Sequence, residues 1–197
     1  MVAIVDISTQ SGSRASALRA AGVRTVIRYC DTIRPAKRLS RDEAVAFVAA
    51  GLKLGVVHEA RRGDFADSFE HASGVADAHH ARTYGTSVIG QPSGSLIYFA
   101  VDFDATAAEV RNLVVPYFRG VGDAFSEPTG EQNYVVGVCF DNDPTPAGAD
   151  HVYLVIEALG REEMSVADNQ RTTETTHRRF AGGAGGKTPT DYFPRAA

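Results

Sequence analysis

The chain has 197 residues, 44% of them hydrophobic, and a formal net charge of −4, with a sequence pI near 5.8. That length supports one well-packed domain and hardly argues for two. The mildly acidic balance removes the electrostatic case for nucleic acid or an anionic membrane surface as partner. The two cysteines, Cys30 and Cys139, sit in the apolar runs TVIRYC and YVVGVCF. They read as buried, reduced thiols, and their number excludes a disulfide framework. The N-terminal MVAIVDIS has no basic segment and no long apolar core, so it is not read as a signal peptide, and no stretch approaches a membrane span. The expected location is cytoplasmic as encoded, or outside the cell by a route or segment not seen in this chain.

In chain order, VAIVD (2–6) is a short buried strand closed by an acid. SRASALRAAG follows as a helical stretch with Gly22 as its stop signal. TVIRYC (25–30) is the second strand. Ser40 and Glu43 make a capping-box pattern ahead of AVAFVAAG, which ends at Gly51. LGVVHE (54–59) is the third strand, a helix lies within 66–84, and LIYFAVDFD (96–104) is the fourth strand. Thr106 and Glu109 give a second capping box. Val110, Leu113, Val114, Tyr117, Phe118, Val121 and Phe125 then share one helical face, interrupted at Pro116, which should kink the helix. YVVGVCF (134–140) is the fifth strand. HVYLVIEALG carries apolar residues at i, i+3, i+4 and i+7 and reads as a helix closed by Gly160.

Five βα units in alternation, with nearly continuous apolar strands, predict a parallel sheet covered by helices. The first strand lacks the G-x-G-x-x-G turn of a dinucleotide fold. The expected fold class is therefore α/β, a TIM-like (β/α) barrel. It would be short for eight units, which take about 200 residues or more. After residue 160 the pattern fails. The chain divides into a barrel region, 1–160, and a C-terminal segment, 161–197, that reads as an incomplete or diverged end to the barrel, as irregular strands, or as partly flexible.

The chemistry-bearing signal is an acid at the end of each apolar run. Residues i and i+2 of a strand point to one face, so Tyr98, Ala100, Asp102 and Asp104 share a side and Ile97, Phe99, Val101 and Phe103 share the other. The bulky apolar set suits the helices, and the acids then face the barrel axis at its C-terminal mouth, where such barrels hold their active sites. Asp6 ends the first strand, Glu59 the third and Asp141 the fifth, while Arg28 and Tyr29 stand near the end of the second. Convergent carboxylates raise one another's pKa through repulsion and burial, the condition for a general acid near neutral pH. Each acid taken alone also suits a plain turn or helix cap, Asp104 before ATAAE and Asp141 in DNDPTP above all.

Several of these blocks also resemble a known family. VDIS, AAGVRTVIRY, KRLSRDEA, LGVVHE and IYFAVDFDAT followed by YFRGV are similar to a bacterial glycoside-hydrolase-like domain family of unknown function. That family is similar in arrangement to the lysozymes of glycoside hydrolase family 25. The likeness covers residues 1 to 140 and implies a TIM-like barrel with an acidic pocket. The lysozyme motif on the fourth strand is Asp-x-Glu, with its Glu as the expected proton donor. Asp104 stands at the Glu position, Asp102 at the Asp position and Asp6 at the acid of strand one, and Glu59 fits the acid of strand three. The departures are the shorter Asp104 and the missing later strands.

The resemblance implies hydrolysis of bacterial cell-wall polysaccharide. Asp104 would donate the proton and Asp102 would stabilise the developing cation. Asp6, Glu59 and Arg28 would position sugar or water, Tyr29 or Tyr98 would stack on a ring, and Asp141 would line the substrate site. The alternatives are a glycan-binding barrel without turnover and a metal-dependent hydrolase using the same acids. No cofactor and no dedicated metal site are expected. Polysaccharide or peptidoglycan is the expected partner, without nucleic acid or membrane insertion, and oligomeric state is left open. AGGAGGKT (181–188) fits a permissive phosphate-loop pattern, but TTHRRF precedes it and Pro189 follows, so a flexible tail tolerant of deletion is the better reading. HEARR lacks the second histidine of a zinc signature.

Overall fold

A computed structural model describes residues 4–30, 34–59, 66–103, 105–128, 134–140 and 165–168. The five predicted strands are all present: β1 (Ile4–Asp6), β2 (Thr25–Cys30), β3 (Lys53–His58), β4 (Leu96–Val101) and β5 (Val135–Phe140). A sixth, β6 (Ser165–Asp168), falls in the segment where no strand pattern was legible. All pair in parallel, in the order β1-β2-β3-β4-β5-β6. This monotonic order separates the sheet from doubly wound folds, whose strand order reverses. Right-handed crossovers then keep adding neighbours on one side, an arrangement compatible with a barrel.

The helices between the strands are α1 (Ala15–Ala20), α2 (Arg41–Ala49), α3 (His71–Thr83), α4 (Ala107–Glu109) and α5 (Val115–Ser126). Gly22 and Gly51 stop α1 and α2 as expected. Both adopt positive φ, 95° and 75°, the left-handed region that costs glycine least. The pattern after α2 is a Schellman turn, with Gly51 N–H donating to Val48 O at 2.9 Å and Leu52 N–H to Phe47 O at 3.0 Å.

Thr106 and Glu109 form the reciprocal capping box predicted for them. Ser40 and Glu43 form only half of theirs. Ser40 accepts from Glu43 N–H, while the Glu43 carboxylate turns inward to Ser11 and Arg28. The interruption expected at Pro116 takes the form of a π-helical stretch, Val110–Val114, immediately before α5. Widened turns are a known way for a helix to accommodate a missing N–H, and Pro116 then occupies the first turn of α5. The helix predicted over residues 151–160 lies outside the described residues, as does the tail from residue 181.

Strand alternation sorts side chains into two clusters. Val26, Cys30, Val56, Ile97, Phe99, Val101, Val136 and Val138 join Phe47, Ala78, Ala81, Tyr117, Phe118, Val121 and Phe125 in the larger core beneath the helices. The predicted α5 stripe is therefore its helical half. Ile27, Tyr29, Val57, Tyr98 and Ala100 form a smaller cluster on the other, inner face, with Ile4 and Leu96 against it. Both faces are thus dry in their middle. Fully burying one of the large apolar side chains contributes about 1.5–3 kcal/mol.

Two close approaches fix this geometry. A Cβ on Gly74 would stand 2.0 Å from Tyr117 O, and one on Gly120 2.1 Å from His71 O, so α3 and α5 touch backbone to backbone. On the inner face a Cβ on Gly137 would stand 2.6 Å from Tyr98 Cδ1. The bare glycine on β5 is what lets the Tyr98 ring lie across to it from β4.

Candidate functional site

The inner face carries polar groups at the C-terminal ends of its strands. On β1, Val5 and Ile7 pack into the helix-side core and Ile4 into the inner cluster. Asp6 therefore shares the inner face, and it is exposed. Tyr29, one strand over, donates its phenolic O–H to Asp6 Oδ2 at 2.8 Å. Past the end of β3, Glu59 accepts from Lys37 Nζ at 2.7 Å. The Lys37 ammonium also sits over the Tyr29 ring, 4.7 Å from its centroid, a cation–π contact. Asp6, Tyr29, Lys37 and Glu59 thus form one continuous chain of contacts across three strands.

Asp102 stands one residue beyond β4 and is half-buried. Its neighbours Val101 and Phe103 both pack into the helix-side core, and the Phe103 ring meets Phe69 at 5.3 Å. Alternation therefore turns Asp102 to the inner side, above Tyr98 and Ala100. Tyr98 is 2% exposed, packed with Ile27, Tyr29, Val57 and Ala100, and offers no open stacking surface. Asp104 and Asp141 lie outside the described residues.

Arg28 is not at the mouth, and its predicted contact with substrate is corrected here. It shares the parity of Val26 and Cys30 and is fully buried on the helix side. There it donates to Glu43 Oε2 at 3.0 Å, to Arg38 O at 3.4 Å and to Ile7 O. Lys37 was missed in the sequence. Its only signal is its place in RPAK, a turn directly after the second strand.

The helix side holds a second polar group that the sequence did not disclose. His58 Nε2 lies 3.5 Å from Asp77 Oδ1, and Asp77 Oδ2 accepts from Tyr117 O–H at 2.8 Å. Burial pushes the Asp77 carboxyl up, but its hydrogen bonds and charge interaction with His58, the Tyr117 hydroxyl and the His80 charge outweigh this and hold it below its ordinary value. Tyr117 is driven well above the usual phenol range by burial and by the Asp77 charge. Beside them Phe99 meets His58 at 5.3 Å and Phe125 at 5.9 Å, so the whole group is packed in aromatic rings away from the mouth. Cys30 is a buried free thiol on the same side, as expected. Among the described residues no group of three or more His, Cys, Asp or Glu side chains is arranged to hold a metal ion, and no helix is long and apolar enough to cross a membrane.

A parallel sheet in monotonic strand order is compatible with a barrel, a fold whose active sites lie at the C-terminal strand ends. A family model described as Rv2525c-like, glycoside hydrolase-like domain matches residues 16–153. The chain belongs to that family.

Among curated relatives, the Bacillus subtilis protein named "Uncharacterized protein YbfG" is 35% identical over 124 residues, which are 59% of this chain and 16% of that protein. The Mycobacterium tuberculosis protein named "Putative peptidoglycan hydrolase Rv2525c" is 32% identical over 113 residues, 53% of this chain and 46% of that one. The chain thus spans less than half the length of these relatives. Among solved structures, the Tat-secreted Rv2525c of Mycobacterium tuberculosis in complex with HEPES matches with a TM-score of 0.64 at 22% identity, covering 87% of this chain and 81% of that one. An uncharacterized Bacillus stearothermophilus protein matches with a TM-score of 0.57 at 19% identity, over 83% and 72% of the two chains. At these identities the structural likeness is one of fold.

Proposed function

We propose that the chain is a glycoside hydrolase acting on bacterial cell-wall polysaccharide, with its site at the C-terminal mouth of a TIM-like barrel. The observation that carries this reading is the linked set Asp6, Tyr29, Lys37 and Glu59 at one end of the inner face, with Asp102 turned to the same side. A Mycobacterium tuberculosis relative named as a peptidoglycan hydrolase supports the substrate class, and the Tat secretion of that relative supports an exported protein.

Asp104 is assigned as proton donor to the leaving glycosidic oxygen. Asp102 is assigned to stabilise positive charge developing at the sugar carbon. Asp6 and Glu59 position sugar or water, each held by its own partner, Tyr29 and Lys37. Tyr98 lies beneath these groups on the inner face, and Asp141 is assigned to substrate binding.

The test is release of reducing ends from purified peptidoglycan, with and without a chelator. Wild-type protein is expected to release them, and Asp104→Asn to lose about 10²–10⁴-fold while still binding glycan, because an amide cannot supply the proton. Glycan binding without turnover in the wild type would favour the binding-barrel reading, for which the aspartate in place of the lysozyme glutamate argues. Activity removed by chelator and restored by Mg²⁺ or Ca²⁺ would make the site a metal-dependent one.

A further inference from the structure

We infer that Arg28, although it never reaches the mouth, is its positioning residue. The guanidinium is fully buried on the helix side and clamps three separate pieces of chain. It donates to the carbonyl of Ile7, just past β1, and to that of Arg38 at 3.4 Å, in the connection from β2 to α2. It also pairs with Glu43 of α2 at 3.0 Å. Glu43 is itself 3% exposed and is fixed by Ser11 N–H at 2.7 Å and Ser11 Oγ at 3.3 Å.

The two residues whose carbonyls it binds, and Arg28 itself, are immediate chain neighbours of mouth residues. Ile7 follows Asp6, Arg38 follows Lys37, and Arg28 itself precedes Tyr29. Alternation sends Asp6 and Tyr29 inward and Ile7 and Arg28 toward the helices, while Lys37 ends the short helical turn Pro35–Lys37 and Arg38 caps it. A guanidinium beneath the sheet therefore sets the backbone from which the three mouth side chains project. The connection is held further by Leu39 N–H donating to Tyr29 O at 2.8 Å and by Gln10 Nε2 donating to Arg38 O. Lys37, so placed, reaches Glu59 and the Tyr29 ring. A planar guanidinium spreads its donors over a fixed fork that reaches acceptors on separate pieces of chain, whereas an ammonium carries all its donors on one nitrogen.

What the positioned groups do to a substrate rests on the glycan-hydrolase reading, but the clamp itself is testable without substrate. Native protein is labelled with an amine-acylating reagent, and the extent at Lys37 and Lys53 is read by peptide mass spectrometry. Lys37 is held by Glu59 and Tyr29, whereas Lys53 opens β3 at the opposite end of the sheet. Arg28→Lys is expected to raise the Lys37 rate by about threefold, the scale of one weakly held ion pair, with Lys53 unchanged. Glu59→Gln, which removes the partner directly, sets the upper bound. If Arg28→Lys does not fold, Glu43→Gln weakens the same clamp from its acid side and should shift Lys37 in the same direction. Equal increases at Lys37 and Lys53 would mean that Arg28 only stabilises the fold, and no increase at Lys37 would mean that it does not position Lys37; either result overturns the inference. Failure of peptidoglycan turnover with the labelling pattern intact would count against the glycan reading alone.

Discussion

The two faces of this sheet are built from consecutive residues and treat polar groups in opposite ways. Beneath the helices, Arg28 pairs with Glu43, and Asp77 with His58 and Tyr117, inside a shell of aromatic and aliphatic side chains. At the inner mouth, Asp6, Glu59 and Asp102 stand at the rim, exposed or half-buried, where a ligand can reach them. Arg28 and Tyr29 are neighbours in sequence, as are His58 and Glu59, and in each pair one residue serves the core and the other the mouth. Strand parity decides which. A polar residue near a strand end is therefore a site residue only if its parity is that of the inner face.

The contrast is broken most severely where backbone meets backbone. Gly74→Ala places a Cβ 2.0 Å from Tyr117 O and is expected to cost about 3 kcal/mol or more, or to prevent folding, as overpacking of a rigid contact does. Gly137→Ala meets side chains rather than backbone, the Tyr98 ring at 2.6 Å and Leu96 Cδ1 at 3.1 Å. It is expected to cost less stability but to displace the Tyr98 ring. Thermal midpoints of the two variants check the ranking.

Next in size, Arg28→Met leaves Glu43 buried without its cation, and urea unfolding should show a loss of about 3–5 kcal/mol. Tyr29→Phe, one residue along, removes only the hydrogen bond to Asp6 and should cost about 1 kcal/mol. Comparable losses for the two would contradict the assignment of Arg28 to the core and Tyr29 to the mouth.

Asp77→Asn weakens the link between His58 and Tyr117 and should cost about 1–3 kcal/mol. The same group sets an acid limit. Its folded pKa lies below the ordinary 3.8, so its stabilising contribution is present above that value and is lost as pH falls through the folded pKa. Glu109, lowered by its hydrogen bonds to Thr106, acts in the same direction. A pH series of melting curves should show wild-type stability falling on acidification below the ordinary carboxylate range. Asp77→Asn should show a shallower fall.

The smallest change is expected at the mouth. Lys37→Met and Glu59→Gln break a pair whose side chains are 18% and 23% exposed, and each should cost under about 1 kcal/mol.

Strand positions, the parity of Asp102 and the apolar stripe of α5 were legible in the sequence, because period-2 and period-3.6 patterns report directly which side is dry. Other features were not. The partner of Arg28 lies fifteen residues away on α2, and nothing local in TVIRYC tells a buried guanidinium from one that touches ligand. Glu43 fits a capping box by spacing, yet a buried cation draws its carboxylate more strongly than a backbone N–H does. β6 is four residues long and polar at both ends, too short for alternation to stand out, and only its pairing with β5 defines it.

Carboxylate footprinting tests a glycan site on the inner face most directly. Carbodiimide labelling is read by mass spectrometry with and without soluble peptidoglycan fragments, comparing Asp6, Glu59 and Asp102 at the mouth with Asp123 and Glu127 on the helix side. The latter pair is solvent-exposed at 71% and 43% and bonded to His71 and His79. Fragments are expected to suppress labelling of the mouth set and leave Asp123 and Glu127 unchanged. Unchanged labelling at the mouth at saturating fragment, or protection confined to Asp123 and Glu127, would contradict a glycan site on the inner face.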